Sequence, residues 1–216
     1  MRAASGLVAA LRRRGPLPRK TQFSTSGTTF QILSPLHSLN TMTELRQIPN
    51  HTDVYPAIAA NTYAKDEFKN KVVIVTGSGG GIGKATGLAF SELGACVAFT
   101  DLTQEAAQSA ADEATGKFGN KTIAVAGDVT KIKDNEKLVK ETREKLGPID
   151  IVVFCAGYGM FDTFAVSREE DWWGLIELNL KAPTDLTRMV LPEMIKRNTG
   201  SLIYMASRVI SINSLD

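Results

Sequence analysis

Thr76-Gly77-Ser78-Gly79-Gly80-Gly81-Ile82-Gly83 stands between an apolar run and a helical pattern, and its reading decides the fold. Lys71-Val72-Val73-Ile74-Val75 ahead of it shows no polar alternation, which predicts a strand buried on both faces. Behind it, Ala85, Leu88, Ala89 and Leu93 recur at helical spacing until Gly94 stops the run. A strand, a glycine turn and a helix start in succession gather free backbone N–H groups at the positive end of a helix dipole. Such a nest suits a pyrophosphate, because residues without side chains let the backbone come close to the anion.

From Lys71 onward, short apolar runs alternate with amphipathic stretches, the rhythm of repeated βαβ units. The expected strands are Val72–Val75, Cys96–Thr100, Thr122–Val125, Ile151–Phe154 and Ser201–Met205. Helices are expected at about Lys84–Leu93, Gln104–Phe118, Lys133–Leu146 and Arg168–Arg197. Ser167-Arg168-Glu169-Glu170 reads as a capping box for the last of these. Pro183 and Pro192 inside it predict two helices or a kink. The fold class is therefore α/β, a doubly wound, Rossmann-like parallel sheet with five strands present.

The chain has 216 residues, enough for one domain and an appendage at roughly 150 residues per domain. No apolar run reaches the roughly 20 residues that cross a bilayer, so a membrane span is not expected. Cys96 and Cys155 form neither a metal-ligand spacing nor a disulfide framework; no metal is expected, and both read as reduced thiols.

Charge is unevenly distributed. Residues 1–43 hold Arg2, Arg12, Arg13, Arg14, Arg19 and Lys20, and the first acidic residue is Glu44. Taking those six from 25 basic residues leaves 19 against 23 acidic, a net −4 that gives no support to nucleic-acid binding. An Arg-rich, Ser/Thr-rich, acid-free start resembles a mitochondrial targeting peptide, with Leu7, Val8, Leu11 and Arg12–Arg14 as a short basic amphipathic helix. The expected location is the mitochondrial matrix, with the cytoplasm as the alternative if the segment is only a disordered basic tail. Pro16, Pro18, Pro35, Pro49 and Pro56 make residues 15–66 read as poorly ordered. The resulting division is 1–43 targeting segment, 44–67 linker, and 68–216 dinucleotide-binding domain.

The second strand ends at Asp101, 18 residues after Gly83. A carboxylate there can accept hydrogen bonds from both ribose hydroxyls of an adenosine and would repel a 2′-phosphate. This favours NAD over NADP. Asp101 could instead cap the next helix, with Thr103 as the rival cap, and Lys84 could partly rescue a 2′-phosphate.

By these residues the chain resembles the short-chain dehydrogenase/reductase family, whose Thr-Gly-xxx-Gly-Ile-Gly signature is matched at Thr76–Gly83. The resemblance covers roughly Phe68 to Ser207. It implies that Thr76, Gly77, Ser78, Gly81, Ile82 and Gly83 bind cofactor with Asp101, and that Asp128 and Val129 contact the adenine. Asp150 matches an acid before the fourth strand and reads as structural. Asn179, in Leu178-Asn179-Leu180-Lys181, matches a member of the catalytic set, and Ser207 falls at the catalytic serine. Asp128 also reads as a turn residue, Asn179 as a plug in a helix irregularity, and Ser207 as a strand-end hydroxyl.

Two departures stand out. Where the family has Asn-Asn-Ala-Gly, this chain has Phe154-Cys155-Ala156-Gly157. Ala156 and Gly157 keep the small residues beside the cofactor, but asparagine hydrogen bonds are lost and the spot becomes more apolar. The family's Tyr-xxx-Lys unit, which moves the proton, is also missing: the sequence stops at Asp216, nine residues past Ser207, and no tyrosine has lysine four residues on. The resemblance further implies C-terminal strands that are absent here, leaving Leu202–Met205 as an exposed apolar edge.

The expected function is hydride transfer between a nicotinamide and a small carbonyl or alcohol substrate, with a catalytically inactive dinucleotide-binding fragment or interaction module as the alternative. A homo-oligomer is possible for a complete enzyme. Serine hydrolysis is excluded because the two histidines, His37 and His51, lie in the N-terminal stretch. A P-loop is excluded because Gly83-Lys84 is followed by Ala85.

Overall fold

The computed structural model describes residues 66–159 and 166–206, together with two strands at 22–25 and 28–31. The chain divides into two compact units, Met1–Val54 and Tyr55–Asp216. In the first, β1 (Gln22–Thr25) and β2 (Thr28–Gln31) pair antiparallel. The proline-rich reading of 15–66 did not expect these strands. The rest of the proposed targeting segment and linker, up to residue 65, lies outside the described residues.

The second unit holds β3 (Val72–Thr76), α1 (Gly81–Glu92), β4 (Cys96–Asp101), α2 (Gln104–Phe118), β5 (Thr122–Ala126), α3 (Ile132–Lys145), β6 (Ile151–Phe154), α4 (Glu169–Ile176), α5 (Ala182–Arg197) and β7 (Ser201–Tyr204). All five strands run parallel in the order β5-β4-β3-β6-β7. The first strand of the unit is thus central, and the order in which strands are added reverses from one side of β3 to the other at β6. This is the doubly wound arrangement expected.

Alternate residues of each strand enter opposite cores. Val72, Ile74, Ala98, Val152 and Phe154 join Leu138, Leu186, Val190 and Met194 beneath α3 and α5. Val73, Val75, Val97, Phe99, Ile151 and Val153 join Ala110, Ala111 and Ala114 of α2 on the other face. Each fully buried Val or Leu contributes about 1.5–3 kcal/mol relative to exposure, which explains why strands apolar on both faces sit in the middle. The alanine face of α2 and Gly87 of α1 bring those helices close to the sheet; a Cβ at Gly87 would overlap the Phe99 ring.

Three boundaries differ from the sequence pattern. Helix α1 starts at Gly81, three residues earlier than the side-chain pattern predicts, because glycines carry no periodic signal. Helix α4 starts at Glu169 with Arg168, one residue after the expected Ser167, at the cap position; the Arg168 side chain forms no cap bond and forks onto Asp171 at 2.6 and 2.7 Å. The long helical stretch does break, but within a π turn at Glu177–Lys181, ahead of Pro183. Pro183 has no N–H to give the carbonyl of residue 179, and the widened turn absorbs that loss. Pro192 sits inside α5, which runs on to Arg197.

Strand β7 lies at an edge of the sheet, with Ile203, Tyr204 and Met205 exposed. The Tyr204 ring stacks on Phe154 at 4.6 Å. Among the described residues, no helix is long and apolar enough to cross a membrane.

Candidate functional site

The C-terminal ends of β3, β4 and β6 meet at the point where strand order reverses, which is where open α/β sheets bind ligands. The turn from β3 into α1 is shaped by its glycines. Gly77 (φ +62°) lies so close to the next loop that a Cβ would come 2.7 Å from Ala156 Cα, and a Cβ on Gly83 would run into the Gly77 carbonyl. Gly80 and Gly81 (φ +54°) face open space instead, with nothing within 4 Å of a built Cβ. No side chain caps the start of α1, and its first turn holds no acidic residue. The helix therefore presents uncapped N–H groups beside an open cradle, which fits an anion such as a pyrophosphate.

The polar side chains of the turn serve its shape. Ser78 is fully buried; its Oγ accepts from Thr100 N–H at 2.9 Å and donates to the Thr100 carbonyl at 3.3 Å. Thr76 is also buried, and its Oγ1 accepts from the N–H groups of Cys155 (3.2 Å) and Ala156 (3.1 Å). These two hydroxyls lock the turn to β4 and to the loop after β6, so Thr76 and Ser78 shape the site without presenting their side chains to it. Ile82 is 67% exposed at the start of α1, an apolar side chain open to the site.

Asp101 ends β4 with one carboxylate oxygen accepting from Gly79 N–H and the other from Leu102 N–H, each at 2.8 Å. The capping alternative falls to Thr103, whose hydroxyl accepts from Ala106 N–H at 3.3 Å. Asp101 thus ties the second strand to the glycine turn, and among the described residues no cation pairs with it. Gly79 was missing from the residues predicted to matter. A Cβ there would come 2.6 Å from Ala106 Cβ and 2.9 Å from Asp101 Oδ2, so only glycine lets the carboxylate reach the backbone. Leu102, 71% exposed beside Asp101, was likewise not signalled by any motif.

Beyond β5, Asp128 Oδ1 accepts from the N–H (2.9 Å) and hydroxyl (2.7 Å) of Thr130, the turn role that its sequence position also suggested. Its own N–H donates to Asp134 at 2.9 Å, and Asn135 donates to the Val129 carbonyl at 2.8 Å. Asp101 pairs in register with Ala126, which brings Asp128 and Val129 to the same end of the sheet.

Asn179 lies in the π turn. Its Nδ2 donates to the Tyr158 carbonyl at 2.8 Å and its Oδ1 accepts from Tyr158 N–H at 3.2 Å. A Cβ on Gly157 would come 2.8 Å from that Oδ1, so Gly157 makes the bridge possible. The loop after β6 is thereby held by Thr76 at one end and Asn179 at the other. Cys155 is half-buried there, and desolvation pushes its thiol pKa up against an opposing hydrogen bond from Thr86. Ser207 lies outside the described residues.

Asp150 serves elsewhere. It sits at the opposite end of the sheet, accepting from Val72 N–H at 3.0 Å and from Arg197 at 2.9 Å. Two open grooves, of about 470 and 460 Å³, lie between α3 and α5 and beside β7. Neither includes a residue of the glycine turn.

Known proteins place this geometry in a family. Residues 71–213 match the short chain dehydrogenase family, and the chain belongs to it. It is 36% identical over 165 residues to a short chain dehydrogenase of Pseudocercospora fijiensis, covering 75% of this chain and 52% of that protein. It is 37% identical to the 3-oxoacyl-[acyl-carrier-protein] reductase FabG of Thermotoga maritima (65% of this chain, 57% of the relative). The NAD-dependent glycerol dehydrogenase of Listeria innocua is 35% identical (68% and 56%). Among solved structures, L-sorbose reductase from Gluconobacter frateurii, complexed with NADPH and L-sorbose, superposes with a TM-score of 0.60 at 31% identity. That match covers 62% of this chain and 51% of the reductase. The chain spans little more than half the length of these relatives.

Proposed function

We propose that this chain is the dinucleotide-binding part of an oxidoreductase that uses NAD to interconvert a small carbonyl and its alcohol. The uncapped start of α1 at the open Gly80–Gly81 cradle, with Asp101 anchored beside it, carries the reading. In this assignment the turn from Gly77 to Gly83 receives the pyrophosphate and Asp101 accepts from the adenosine ribose. Asp128 and Val129 border the adenine, and Ala156 and Gly157 leave room beside the nicotinamide. A bound nicotinamide would supply or accept the hydride.

Asn179 holds the loop after β6 in place. Ser207 is assigned, by position in the family pattern, to orienting the substrate oxygen. The family's proton-transferring tyrosine and lysine have no counterpart within these 216 residues, and that step is assigned to none of them. Two observations support NAD over NADP: the Asp101 carboxylate, which meets no cation among the described residues, and the commitment of Lys84 to Glu113 at 2.7 Å. Relatives are named for either cofactor, NAD for the Listeria dehydrogenase and NADPH in the sorbose reductase complex.

Calorimetric titration tests the reading. NAD is expected to bind at least about tenfold tighter than NADP, a difference of about 1.4 kcal/mol. Equal or reversed affinities overturn the cofactor assignment, and no binding of either overturns the site. Binding without turnover of any carbonyl or alcohol would identify a dinucleotide-binding module instead. We further propose that residues 1–43 direct the chain to mitochondria. A fluorescent reporter fused behind them should co-localise with that compartment, and diffuse fluorescence would refute it.

A further inference from the structure

Lys84 is the one basic residue of α1, the helix that begins at the glycine turn. It is the fourth residue of that helix, and its N–H bonds the Gly80 carbonyl at 3.0 Å. A lysine this close to the cradle would be expected to serve a phosphate. Its ammonium is instead held on α2, 2.7 Å from Glu113 Oε2. The other Glu113 oxygen takes Lys117 at 2.6 Å. Each carboxylate oxygen is thus occupied by one lysine, and the Lys84 side chain is largely covered, 27% exposed.

We propose that Glu113 is a positioning residue for cofactor choice: by holding the Lys84 ammonium on α2, it withholds that cation from the adenosine ribose and keeps the site selective against a 2′-phosphate. The inference rests on the dinucleotide reading above and adds a second layer to it. Asp101 disfavours a 2′-phosphate by its own negative charge, whereas Glu113 acts indirectly, by occupying a cation that could offset that charge. Lysine suits such a role because its point charge rides on a flexible four-carbon stem and can be redirected without moving the helix.

Glu113 remains charged at any pH where a nucleotide would be studied. Its carboxyl is pulled down to about 2 by the hydrogen bonds from Lys117 and Lys84. The pair is therefore a standing constraint rather than a switch. Glu113 lies nine residues along α2 from Gln104, roughly 13 Å from the helix start near Asp101 at 1.5 Å per residue. A substitution there leaves the glycine turn and Asp101 untouched.

Affinities of the full chain for NAD and NADP provide the test, measured for the wild type, Glu113→Gln, Lys84→Met and the double variant. Glu113→Gln should tighten NADP by about three- to fivefold, the scale of one partly exposed ion pair, while NAD changes by less than about twofold. Adding Lys84→Met should return the NADP:NAD ratio to its wild-type value. A merely structural role for Glu113 would weaken or strengthen both ligands together and leave the ratio fixed. An unchanged ratio in Glu113→Gln, or a gain that survives Lys84→Met, overturns the proposal. Should the wild type bind NAD while the ratio stays fixed, only this inference fails; should it bind neither ligand, the dinucleotide reading falls and takes this one with it.

Discussion

Two aspartates, Asp101 and Asp150, do similar work at opposite ends of one sheet and end in different states. Asp101 closes β4 and accepts a backbone N–H from the turn after β3. Asp150 precedes β6 and accepts a backbone N–H from the first residue of β3. Each joins neighbouring strands of a parallel sheet through a carboxylate. Asp150 is then closed off: it is 8% exposed, and Arg197 pairs with it while also reaching the Ile149 carbonyl. Asp101 stays partly exposed with no cation on it among the described residues, beside a helix start without a cap. A carboxylate whose charge is answered within the protein stabilises; one that is partly exposed and meets no cation among the described residues can recognise.

The strongest way to break this contrast is to fill the cradle while leaving both aspartates. Gly83→Val would drive side-chain atoms into the Gly77 carbonyl and displace the start of α1. Dinucleotide binding should be lost, seen as no rise in melting temperature at saturating NAD. Thermal protection equal to the wild type would place the ligand elsewhere.

Opening the closed aspartate comes next. Arg197→Met should destabilise the chain by about 2–3 kcal/mol in chemical denaturation, because a buried carboxylate is left without its partner. The NAD:NADP affinity ratio should not move, since Asp150 lies at the far end of the strands. A shift in that ratio would mean that the two ends are coupled.

The open aspartate gives the reverse pattern. Asp101→Asn keeps an acceptor for Gly79 N–H while removing the charge. NAD affinity should fall about tenfold and NADP affinity should hold or rise, with stability changed by no more than about 1 kcal/mol. Alanine is the poorer probe, because it would also release Gly79. Parallel losses for both nucleotides would remove Asp101 from ribose recognition.

The two ends differed in how much of them could be read beforehand. Apolar runs located all five strands: β3, β4 and β6 because burial on both faces leaves no polar position to blur the pattern, and the edge strands β5 and β7 because their runs are apolar although partly exposed. Helix α2 was expected at the bounds it has, since Thr103 and Gly119 punctuate it plainly. The glycine turn was legible as a site because its residue types permit only a few backbone shapes. What could not be read were the contacts that cross the sequence. Ser78 reaches Thr100 across 22 positions, and Asn179 reaches Tyr158 across 21. Periodicity reports which face a residue occupies, not which partner its polar atoms find. The start of α1 was misplaced for a related reason, since glycines contribute nothing to a side-chain period.

Glu113 supplies the smallest test, because its two lysines meet it near the surface. Its folded pKa, about 2, lies below the ordinary 4.5. A depressed carboxylate contributes stability that is present above the unfolded value and is lost as pH falls through the folded one. Glu113→Gln removes that contribution, so the melting-temperature gap between wild type and variant should be largest near neutral pH and narrow from about 4.5 toward 2. A gap constant across that window would show that the lysine pairs add nothing to folding. The exposed pair would then be left with only the role in cofactor choice that the closed Asp150–Arg197 pair, buried at the other end of the sheet, cannot play.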